Sequence, residues 1–138
     1  MIKSYLAKII AKDTNGLQTI SACCSEATIK ISDIKYLKNN KIFLLYLKRF
    51  NKEEEQYNKK INSICKFEFV DKVKSKNIDQ INKDLIIELL AIDILKKENN
   101  FEITLLFQNN AFITLSTEII EVTLEDQNNL TNDQIYRL

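Results

Sequence analysis

The sequence predicts an α+β domain, with about seven mainly antiparallel strands in a twisted roll or partly closed barrel and one helix in the N-terminal half. Three observations carry that expectation. Apolar and polar residues alternate over long stretches, as Phe101, Ile103, Leu105 and Phe107 do against Glu102, Thr104 and Gln108, which is the period of a half-buried strand. Paired asparagines at 39–40, 99–100 and 109–110 separate apolar runs, and asparagine tolerates the positive φ that tight hairpins need. One segment, after Asp13, instead repeats its apolar residues Leu17, Ile20 and Cys24 at helical spacing.

A chain of 138 residues suits a single domain over 1–138, with a polar, loosely held tail from 126. Folding at this size buries roughly two-thirds of the unfolded chain's surface, so no staple is needed. The formal charge of +1 gives no global steering toward nucleic acid or anionic membrane, and neither is expected as a partner. Ile, Lys and Asn number 21, 18 and 15, Gly occurs once, and Pro, His and Trp are absent. That bias reads as A+T-rich coding pressure, so the abundance of Asn in turns and of Lys over Arg is not evidence of function. Lys3, Lys8 and Lys12 interrupt the apolar N-terminus, which lacks a signal-peptide core. No run approaches a membrane span. Three cysteines without metal-ligand spacing or secretory context point to reduced thiols in a cytoplasm.

In chain order, residues 5–11 form a first strand with apolar residues on both faces, which predicts that it is covered. Asp13 stands where an N-cap belongs and residues 14–25 form a short amphipathic helix, weakened by Gly16 near its first turn. Ile29 and Ile31 are then in phase, and Ile34 and Tyr36 in the opposite phase, so Ser32-Asp33 marks a bend or bulge. Residues 42–50 return as a strand apolar on both faces, which suits a central position. The charged segment 51–60 reads as a mobile surface loop. Cys65, Phe67, Phe69 and Val73 supply a fourth strand, in which Lys72, Lys74 and Lys76 mark an exposed face that discourages edge-to-edge aggregation. Residues 85–96, 101–108 and 111–124 form a three-strand meander. Its first member also carries a helical stripe, Leu85, Leu89 and Ile92, but the Asn-Asn pair directly after it favours strand. Its last member changes phase between Leu115 and Ile120, placing a bulge or corner near residues 118–119.

The run IKISDIKYLKNNKIFLLYLKRFNKE, with SACCSEA before it and LLAIDI and STEIIEVTLED after it, resembles the bacterial domain-of-unknown-function family 2948 over about residues 7–127. The recurring Asp-Ile-x-Tyr-Leu segment of that family is matched by Asp33, Ile34, Tyr36 and Leu37, and its Arg-Phe pair by Arg49 and Phe50. Asn51 and Lys52 stand where the family usually carries acidic and tryptophan residues, so a contact surface built on that tryptophan is altered here. The resemblance implies an architecture and a bacterial context, and no activity.

Catalytic chemistry finds little support. Without histidine, neither Cys23 nor Cys24 has an evident activating base, and burial is the better reading of both and of Cys65. No metal site and no cofactor are expected. Asp33, Glu88, Asp93, Glu118 and Glu121 show no spacing that singles out an acid–base pair. Arg49 is one of two arginines in a lysine-rich chain and lies at a strand end beside Phe50. A structural ion pair with a nearby carboxylate is its leading reading, ahead of ligand binding. Arg49, Phe50, Asp33 and Tyr36 are the ligand- or partner-binding candidates.

The function expected is that of a non-catalytic cytoplasmic interaction module, self-associating as a homodimer or engaging a protein partner. The alternative is a binder of a small anionic or apolar ligand within the barrel, and an enzyme is a third. A pocket between helix and sheet would favour the ligand reading, and a flat apolar patch the interaction reading.

Overall fold

A computed structural model of the chain describes residues 7–50 and 60–127. Among these described residues nine strands, β1 (Lys8–Ala11), β2 (Ala27–Leu37), β3 (Ile42–Phe50), β4 (Lys60–Phe67), β5 (Val70–Lys76), β6 (Ile86–Lys96), β7 (Phe101–Phe107), β8 (Ala111–Thr117) and β9 (Val122–Asp126), accompany one α-helix, α1 (Thr14–Cys24). The strands form one antiparallel sheet in the order β1-β9-β4-β3-β2-β6-β7-β8-β5. The protein is α+β, as its sequence predicts, but the sheet does not close into a barrel. The strand count rises from about seven to nine because two expected strands each turn a corner. The fourth breaks between Phe67 and Val70, where Phe69 takes φ 60°. The last breaks between Thr117 and Val122, at the site of its phase change.

Those corners shape the molecule. β4 pairs with β9 and β5 with β8, so the four strands form two ladders joined by both corners, and the Glu68 N–H donates to the Glu121 carbonyl at 3.0 Å where they meet. A short ladder of Ala27, Thr28, Ile29 and Lys30 in β2 with β6 also joins the two parts of the sheet. Inward side chains from both parts, including Phe43, Leu45, Phe67, Ile103, Leu105, Leu115 and Leu124, make one buried core. The rings of Phe43 and Phe67 meet edge to face at 6.1 Å within it.

Helix α1 begins where the sequence places it. The Asp13 carboxylate accepts from the Gly16 N–H at 2.7 Å, satisfying one of the helix's unpaired first-turn donors. Leu17, Ile20 and Cys24 are buried against β6, β1 and β3. The Ser21 hydroxyl accepts from the Ile92 N–H at 2.9 Å, beside the irregularity in the β6–β7 register. Strand β1 differs from expectation: it is an edge strand, paired with β9 alone, and Ile10 is 55 % exposed. Apolar residues do occupy both faces, but one face is left open, where Ile10 lies. β3 is central, between β2 and β4, and β5 is the opposite edge, with Lys72, Lys74 and Lys76 exposed along it. Lys60 begins β4, and the remainder of the charged segment, 51–59, lies outside the described residues, as does the tail from 128. Asp126, which opens the expected tail, is the last residue of β9.

Candidate functional site

The bend expected at Ser32-Asp33 borders an opening in the fold. The β2–β3 register shifts between Ile29 and Ile34, and a bulge of this kind re-aims the strand beyond it. Up to Ser32, whose N–H donates to the Lys83 carbonyl at 2.9 Å, β2 remains bonded to the chain that enters β6. Past that point its ladder partner is β3 alone.

Edge strand β5 stands across from this second half of β2. The two are clasped at one end, where the Tyr36 hydroxyl donates to the Val70 carbonyl at 2.9 Å and the Val70 N–H donates to the Lys41 carbonyl at 2.8 Å. The Lys41 ammonium pairs with Asp71 at 3.0 Å, and its hydrogen bond and attraction to that carboxylate raise its pKa. Lys41 itself holds φ 57° at the end of the 3₁₀ turn Lys38–Asn40.

Beside the clasp lies a cleft of about 360 Å³. Ile34 and Tyr36 form one wall and Val73 and Ser75 the other, with Phe43, Ile113 and Ile31 deeper in. Ser32 and the connection between β5 and β6 complete it through Ile78, Gln80 and Lys83. Gln80 donates to the Ser75 hydroxyl at 3.1 Å, and the Asp79 carboxylate accepts from the Ile81 and Asn82 N–H groups, which fixes the turn and holds its pKa below the usual range. An apolar interior with a few convergent polar groups is the composition of small-molecule sites. The cleft lies between strands; the junction of helix and sheet is filled by Leu17, Ile20 and Cys24.

The four sequence candidates do not converge. Tyr36 lines the cleft. Asp33 lines two other depressions, with Tyr46 and Lys48, and not the cleft. Arg49 lies six residues along β3 from Phe43, about 20 Å away. Its Nε donates to Asp126 Oδ1 at 2.9 Å and its Nη2 to Oδ2 at 2.7 Å, a bidentate pair with both side chains fully buried. Ser63 donates to Oδ1 at 2.6 Å and the Ala7 N–H to Oδ2 at 2.8 Å. Phe50 is half-buried, with the Lys60 ammonium 5.3 Å from its ring centre. Arg49 is thus a structural ion pair.

Asp126 and Ser63 escaped the sequence reading although a signal existed. Val122, Leu124 and Asp126 share one strand phase, as do Phe43, Leu45, Leu47 and Arg49, so an acid and a base each occupied an inward position. The cleft residues Val73, Ile78, Ile113 and Lys83 carried no comparable signal, because they come from separate elements.

Two other groupings have chemical interest. The Glu68 and Glu121 carboxyls are hydrogen bonded to each other at the double corner, which, with burial, raises the Glu68 pKa. Lys66 lies 4.0 Å from Glu68. No disulfide links the three cysteines. Cys24 and Cys65 are buried, and the hydrogen bond that the protonated Cys65 thiol makes to Cys24, together with burial, pushes the Cys65 thiol well up, away from thiolate reactivity. Among the described residues no group of three or more His, Cys, Asp or Glu is placed to hold a metal ion. No helix among them is long and apolar enough to cross a membrane.

No curated protein and no solved structure matches the chain. A family model does: residues 7–134, nearly the whole chain and including every cleft residue and the Arg49–Asp126 pair, match the family described as "Protein of unknown function (DUF2948)", and the chain belongs to that family.

Proposed function

We propose that the protein is a non-catalytic binding module of the cytoplasm whose binding element is the cleft between β2 and β5. The observation that carries this reading is the cleft itself, an apolar-floored opening where two strand edges fail to meet. Its lining offers one ammonium, two serines, a tyrosine and a glutamine, without a carboxylate or an imidazole to serve as a general base. Binding and orientation are what such a lining supports. Val73→Trp places an indole in the opening from the β5 wall. In native mass spectrometry of protein purified from its own cells, the wild type should carry a bound small molecule that the variant lacks. Finding both proteins at their own ligand-free masses would count against the cleft.

A second reading, contact with a protein partner or a second copy of the chain, is favoured by the outer face of β1, β9, β4 and β3. Ile10 is 55 % and Tyr46 38 % exposed there, with Leu44 and Ile64 half-buried between them. Exposed apolar residues grouped on one sheet face support an interaction surface.

A further inference from the structure

We propose that the cleft between β2 and β5 selects a small amphiphile with an aliphatic body and a single carboxylate head; this rests on the reading of the cleft as the binding element. The interior limits the body. Phe43, Ile113 and Ile31 present carbon to any occupant, so a polar group inserted there would lose its water without a replacement partner. At about 30 Å³ for each water-sized group, the 360 Å³ volume holds about a dozen non-hydrogen atoms, which suits a medium-length chain and is too small for a nucleotide or a sterol.

Lys83 sets the head group. It is the one charged residue of the lining and forms no ion pair with a described residue. The hydrogen bond from the Ser32 N–H to its carbonyl fixes its backbone beside β2, and its exposed side chain starts from there. One ammonium, with the Ser32 and Ser75 hydroxyls in the same lining, matches one negative charge and two acceptor oxygens. A phosphate dianion would call for a guanidinium fork or a nest of N–H groups, and the lining supplies no arginine. A neutral head would leave the ammonium without compensation for the water it loses as the mouth is covered.

Titration calorimetry on the full chain with octanoate and with 1-octanol tests the assignment. Octanoate should bind, with 1-octanol about tenfold weaker. Lys83→Met should lower octanoate affinity to that of 1-octanol while leaving 1-octanol unchanged, and octanoate binding should weaken as salt is raised. Lys83 is exposed, so this variant keeps the fold. Equal affinity for the two probes, or an unchanged response in Lys83→Met, overturns the carboxylate assignment and leaves the cleft standing as an apolar site. Failure of both probes to bind, or binding of both undiminished in Val73→Trp, overturns the cleft as the binding element.

Discussion

Arg49 and Asp126 lie 77 residues apart and meet at the ends of their strands, in the inward row of the sheet. Burial by itself raises the Asp126 carboxyl, but hydrogen bonds from Arg49, Ser63 and the Ala7 N–H outweigh it and hold the pKa below the ordinary 3.8. A depressed folded-state value gives stability that is full above the unfolded pKa and lost as pH falls through the folded one. Asp126→Asn leaves Arg49 buried without its counter-charge and should cost about 3–5 kcal/mol at neutral pH. Urea denaturation across pH checks this: the gap to wild type should be widest above pH 5 and shrink steadily below about pH 4. A constant gap would remove the charge argument. The pair was half legible in the sequence. Arg49 stood out by rarity, and its leading reading as an ion pair is what the structure contains. Its partner is less legible because Asp126 ends its strand directly before a polar run, which blurs the strand phase to which it belongs.

At the level of elements, periodicity and turn chemistry located the helix and seven extended stretches, two of which corners divide into separate strands, while turn geometry depended on loop length. Asn109 and Asn110 both take positive φ, 63° and 59°, as a tight hairpin of the primed type requires. Asn110→Val should therefore cost about 1–2 kcal/mol and Asn110→Gly should be neutral or stabilising, read from thermal midpoints. At the other two pairs the asparagines themselves do not take positive φ. The 3₁₀ turn Lys38–Asn40 passes that conformation to Lys41, and after β6 the Lys97 N–H bonds the Asn100 carbonyl across a four-residue connection. Dipeptide composition shows a turn, whereas the residue that must go left-handed follows from where the ladders end. Gly16 makes a similar point. Its cost to helix propensity was readable, but its use was not: a Cβ there would lie 3.0 Å from the Ala11 Cα, so glycine permits the close approach of α1 to β1. Gly16→Ala should lower the melting temperature despite a helix-propensity gain of about 1 kcal/mol. A higher melting temperature would show that β1 yields at little cost.

For the molecule as a whole, strand order and the cleft were beyond the sequence because both come from long-range pairing that local patterns do not encode. The excess of two-faced apolar strands was readable, and the structure shows where the second face goes. Much of it is buried between the two parts of the sheet, but Ile10, Leu44, Tyr46 and Ile64 remain on the outer face of β1, β9, β4 and β3. Lys8, Lys12 and Lys66 surround them together with Glu68, Glu121 and Glu125. Equal numbers of both charges around an apolar centre allow a two-fold copy to set lysines against glutamates, the commonest symmetry for such association. The Glu68–Glu121 carboxyl pair would gain from a partner's lysine, since Lys66 reaches Glu68 only at 4.0 Å. We predict a homodimer through this face. Sedimentation at micromolar concentration should give twice the chain mass of 16.1 kDa. Tyr46→Lys, which places a charge in the apolar centre at an exposed position outside the core, should sediment as a monomer with an unchanged far-ultraviolet spectrum. A wild type that sediments at the single-chain mass would remove the dimer and leave the outer face to a different protein partner.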